Sequence, residues 1–125
     1  MRAIPAIWVL LVTVVTLAHA GRSDVNLVWK GQCERKDKVK PPAAVTLTIH
    51  AYPGTPTGTL NGQPIANLDY PGTPGAVGFD SSGFFKDEPV VRTFDGRLNP
   101  DGRISGYLKQ PGVPDKVAEC NFSPA

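Results

Sequence analysis

Apolar and polar residues alternate one for one along much of this chain. Across residues 43–52, Val45, Leu47, Ile49 and Ala51 interleave with Thr46, Thr48, His50 and Tyr52. A period of two marks a β-strand with one buried and one wet side. Residues 25–33 repeat the pattern, which turns Trp29 and Cys33 inward together and leaves Lys30 and Gln32 outside. Further along, Phe94, Gly96 and Leu98 share a side, and Ile104, Gly106 and Leu108 oppose Arg103, Ser105 and Tyr107. Ala118, Cys120 and Phe122 form the inward set of a last strand. No stretch holds a 3.6-residue apolar period between helix caps, so the chain reads as all-β.

The segments between these runs are turns. Tyr52-Pro53-Gly54-Thr55-Pro56 returns 18 residues later as Tyr70-Pro71-Gly72-Thr73-Pro74, with a looser copy at Pro111-Gly112-Val113-Pro114. Pro followed by Gly suits the central positions of a type II turn, where glycine takes a positive φ. Asn61-Gly62, between Thr57-Gly58-Thr59-Leu60 and Gln63-Pro64-Ile65, predicts a hairpin with a type I′ turn. Pro64 has no ladder hydrogen to donate, which places its strand at an edge or a bulge. A second hairpin is expected from Val77-Gly78-Phe79 across Asp80-Ser81-Ser82-Gly83 to Phe84-Phe85-Lys86, then a strand over residues 90–98 and a turn at Asn99-Pro100-Asp101-Gly102. Seven or eight short strands joined by tight turns fit an antiparallel meander closed as a β-barrel, with a β-sandwich as the alternative.

The amino terminus changes the picture. Arg2, an apolar run beginning at Ile7 and ending at Leu17, and Ala18-His19-Ala20 have the layout of a signal peptide cleaved after Ala20. The alternative of an uncleaved anchor meets an apolar run shorter than the roughly 20 residues a spanning helix needs. Residues 1–20 are therefore read as a signal peptide and 21–125 as a single exported, soluble domain, periplasmic or extracellular. Export in turn explains the two cysteines, Cys33 and Cys120, as one disulfide, with free or intermolecular thiols as the alternative. Such a bridge ties the first strand to the last, which are neighbours when a meander closes, and this favours the barrel.

Loss of Arg2 leaves a net charge of about +1, which excludes a general nucleic-acid binder. The one basic cluster, Arg35-Lys36-Asp37-Lys38-Val39-Lys40, reads as a solvated loop or a contact to an anionic surface. Chemistry is scarce. His19 leaves with the signal, so His50 is the one histidine of residues 21–125, and no His or Cys group has metal-ligand spacing. No Gly-x-Ser-x-Gly elbow and no phosphate-cradling loop are present. Asn121-Phe122-Ser123 has the form of a glycosylation acceptor, with Pro124 directly behind it. No catalytic role, cofactor or metal is expected.

What remains is binding. Tyr52, Tyr70 and Tyr107 fall in turns or on outward parity, and one of Phe84 and Phe85 should be exposed if both lie in a strand. Tyrosine offers area and a polar tip together, which suits recognition. The layout of signal peptide, small β body and disulfide is similar to that of exported bacterial lysozyme inhibitors, and Ser81-Ser82-Gly83-Phe84-Phe85 resembles a Ser-Gly-rich loop found in some of them. That likeness spans five residues, lacks the tyrosine and second motif of those inhibitors, and carries no residue role over. The expectation is a non-enzymatic protein of the inhibitor or immunity type that binds another protein or a cell-envelope component. The alternatives are a small-ligand carrier with an interior site near Trp29 and Phe94, and a structural envelope component.

Overall fold

The computed structural model describes residues 26–51 and 54–125. The signal peptide expected over residues 1–20, and Tyr52, lie outside the described residues. Nine antiparallel strands form one nearly closed, barrel-shaped sheet: β1 (Asn26–Arg35), β2 (Ala43–His50), β3 (Thr57–Leu60), β4 (Gln63–Pro64), β5 (Ala66–Asp69), β6 (Gly75–Ser81), β7 (Arg92–Leu98), β8 (Ile104–Lys109) and β9 (Ala118–Pro124). Their order in the sheet is β4-β3-β2-β1-β9-β8-β7-β6-β5. Every strand thus neighbours its successor in the chain except at the β4–β5 seam, and β1 lies beside β9.

The seam has a simple origin. The antiparallel pairings make β4 and β5 run in the same direction, so residues 63–69 act as one broken stave. Its first part pairs with β3 and its second with β6. Pro64 withholds a ladder donor, Ile65 N–H still bonds Gly58 O at 3.1 Å, and Asn67 at φ 53° marks a register shift. The barrel therefore has eight staves, a number whose interior side chains just fill.

The fill is aromatic. Phe79, Phe94 and Phe122 are buried, with the Phe94 ring 5.3 Å from Phe79 and 5.7 Å from Phe122. Val45, Leu47 and Ile49 of β2 point into the same core, as their alternation requires. Cys33 and Cys120 face each other directly across β1 and β9, and their disulfide closes the meander. The turns behave as their residues demand: Asn61 and Gly62 sit at φ 52° and 82°, and Gly54, Gly72 and Gly112 all have positive φ.

The second hairpin expected from the sequence does not form. β6 continues to Ser81 and pairs with β7 instead, which begins at Arg92 rather than at residue 90. Ser81 Oγ accepts a 2.9 Å hydrogen bond from Gly83 N–H and turns the chain away. Phe84 and Phe85 then fold back over one end of the barrel, both almost wholly buried at 1% and 2% exposed. Strand parity would have left one ring in water, whereas the plug buries both, about 1.5–3 kcal/mol for each.

Candidate functional site

The aromatic residues singled out from the sequence do not converge. Phe84 stacks on Phe79 at 5.7 Å, while Phe85 lies beneath the Arg35 guanidinium at 3.9 Å and near that of Arg92 at 5.1 Å. Neither ring is available as surface, which corrects the expectation that one is exposed. Tyr70 stands at the opposite end, edge-on to Trp29 at 5.8 Å, and burial pushes its hydroxyl pKa up. Tyr107 alone of the described set remains on the outer wall.

The loop that carries the two phenylalanines is held down by charge. Arg92 is 4% exposed and donates to Glu88 O, Glu88 Oε1 and Gln110 Oε1. Arg35 bonds Asp87 and Glu88, and Lys40 also bonds Asp87. Lys40 and Arg35 together hold the Asp87 carboxyl down to about 2.

The interior site near Trp29 and Phe94 is not a shared cavity. Phe94 lies between Phe79 and Phe122 with no exposed surface, and Trp29 sits at one end with Nε1 donating to Gly102 O at 2.9 Å. Beside Trp29 is an open apolar recess of about 490 Å³, lined in part by Leu27, Tyr70, Leu98 and Pro124.

A polar depression of about 530 Å³ lies on the outer side of β7, β8 and β9. Register builds it in rows. Asp95, Tyr107 and Glu119 face one another across the three strands, and Arg97, Ser105 and Asn121 form the adjoining row. Gly96 opposes Gly106 between these rows. A methyl at Gly106 would stand 2.4 Å from Asp95 O and from the Gly96 Cα, so close strand approach requires glycine there. Lys109 Nζ bonds Asp95 Oδ2 at 3.0 Å, Lys116 Nζ lies 3.7 Å from the Tyr107 ring centre, and Asn99 donates to Ser105 Oγ at 3.3 Å.

Chemically this surface offers hydrogen bonds, both signs of charge and one aromatic ring. Asp95 and Glu119 stand on strands two apart, about 10 Å between their backbones. Among the described residues no three His, Cys, Asp or Glu side chains gather as a metal site. His50 sits on the outer side of β2 with Nδ1 2.8 Å from Asn26 Oδ1.

Sequence reasoning found Tyr107 but missed its neighbours. Turn symmetry about residues 99–103 was the available signal, since Leu98 opposite Ile104 puts Asp95 opposite Tyr107. The Glu119 pairing needed the β8–β9 register, which no short turn dictates. No protein-family model, curated protein or solved structure matches this chain.

Proposed function

We propose that the protein is an exported, non-enzymatic binding module that recognises another protein through the outer side of β7–β9. The observation that carries this reading is the Asp95–Tyr107–Glu119 row, a mixed-charge, tyrosine-centred depression on a disulfide-stapled wall. A wall of this kind keeps its side chains in place before a partner arrives, which limits the ordering cost of association. The filled interior supports an external site over an internal one.

A photo-cross-linking aromatic residue at position 107 in the native host tests it, with the same residue at position 48 on β2 as the control. Adducts of one defined mass from position 107, lost when Asp95 and Glu119 are both replaced by Ala, are expected. Equal adducts from both positions, or none from position 107, would overturn the assignment. The carrier reading survives only at the recess beside Trp29, where an apolar probe should shift indole emission; an unmoved spectrum up to probe saturation removes it.

A further inference from the structure

Three connections and one tight turn close the Phe85 end of the barrel, and they differ sharply from the connections at the Trp29 end. The β1–β2 connection carries Lys36, Lys38 and Lys40 against Asp37. The β6–β7 connection carries Lys86 against Asp87 and Glu88, and the β8–β9 connection carries Lys116 against Asp115. With Arg35 and Arg92 at the strand ends, this end has a balance of +3. At the Trp29 end the charges of the described connections are Asp101 and Arg103, which cancel. The remaining strand residues carry three bases against five acids, a balance of −2. A chain of nearly neutral total charge is therefore polarised from wall to end.

Apolar exposure is polarised the same way. Five large apolar side chains stand out from the described surface, and four of them, Val39, Val90, Val91 and Val113, are at the Phe85 end. Val39 is the most exposed at 77% and sits between Lys38 and Lys40. Its position is built: Asp37 Oδ1 accepts from Val39 N–H at 3.0 Å, and Lys38 takes φ 55°, so the loop tip projects valine flanked by ammonium groups.

We propose that this end docks on the surface of an anionic phospholipid bilayer, with the valines entering the headgroup–acyl boundary and the lysines on lipid phosphates. A bilayer accepts both features at once, since long lysine stems carry their charge to the headgroups while apolar tips descend between them. A protein partner fits less well, because lysine is depleted and aromatic residues and arginine enriched at such interfaces. Here Arg35, Arg92 and Phe85 are already committed to one another. A nucleic acid would want stacking rings, and the rings of this end are buried. The Tyr107 depression lies on the wall and shares Lys116 with this end, where Asp115 offsets the charge of Lys116, so the +3 balance stands without that pair.

The test is co-sedimentation of the disulfide-intact chain, purified from its host, with vesicles of phosphatidylglycerol or of phosphatidylcholine. Binding to the anionic vesicles alone, weakened at high salt, is expected. Lys36→Glu with Lys38→Glu should weaken it by at least about tenfold, and Val39→Ser with Val91→Ser should weaken it while salt dependence persists. Lys30→Glu on the β1 wall, the same charge change per residue, should leave it unchanged, and unaltered Trp29 emission confirms that each variant folds. Equal binding to both vesicles, binding to neither, or indifference to the valine substitutions overturns the proposal. Capture by a soluble polyanion but not by vesicles overturns it in favour of an anionic polymer.

Discussion

Arg92 is a buried cation that ties the β6–β7 loop to the β8–β9 connection, where it also donates to Gln110 Oε1. It bonds Glu88 through backbone and side chain and lies against Phe85, whose other neighbour is Arg35. Replacing Arg92 by Ala removes packing and charged hydrogen bonds together, so a loss of about 2–3 kcal/mol in urea unfolding is expected; a loss below about 0.5 kcal/mol would mean that the plug holds without it. At the close approach of β7 and β8, Gly106→Ala should cost about 1–3 kcal/mol, because backbone atoms rather than a pliable side chain block the methyl. Stability equal to wild type would show that β7 and β8 can separate freely.

Among the elements, the broken stave of β4 and β5 is the weak join, and Asp80 secures its second half. Thr93 Oγ1 donates to Asp80 Oδ1 at 2.6 Å and Asn67 Nδ2 to Oδ2 at 2.7 Å, linking β5 and β7 to β6. These bonds, that of Thr93 foremost, pull the Asp80 pKa below its ordinary 3.8. A carboxyl with a depressed folded-state pKa stabilises the fold above its unfolded pKa, and that contribution fades as pH falls through the folded value. Asp80→Asn should therefore be less stable than wild type at pH 7, with the gap narrowing below about pH 4. A gap that stays constant from pH 7 to pH 2 would assign the bonds no linkage. In hydrogen exchange, amides of residues 66–69 should open before those of β1 and β9, since a register shift leaves fewer ladder bonds there.

At the scale of the molecule, one covalent bond joins the two ends of the meander. Cys33 and Cys120 stand 87 positions apart in the sequence, and in the chain-entropy model such a loop contributes about 4–5 kcal/mol. Replacing both cysteines by Ala should lower unfolding free energy by that order and leave the strand pairing intact when the variant folds. A change under about 1 kcal/mol would place barrel stability in the aromatic core alone.

Much of this was legible in the chain. A strict two-residue period gave β2 and the inward faces of β1, β8 and β9, because pleating fixes side-chain direction without tertiary help. Asn61-Gly62, the Pro-Gly turns and Pro64 announced their conformations because φ and hydrogen-bond donors are properties of single residues. The cysteine pair added the closure. Phe84 and Phe85 defeated the same reasoning, since parity holds only inside a strand and the gain from plugging the barrel end ended the strand at Ser81. The Asp95–Tyr107–Glu119 row and the gathering of Val39, Val90 and Val113 at one end are distances across the sheet. Sequence alone determined which residues turn inward and where the chain turns; only the closed sheet, through its long-range register, decided which outward residues stand together.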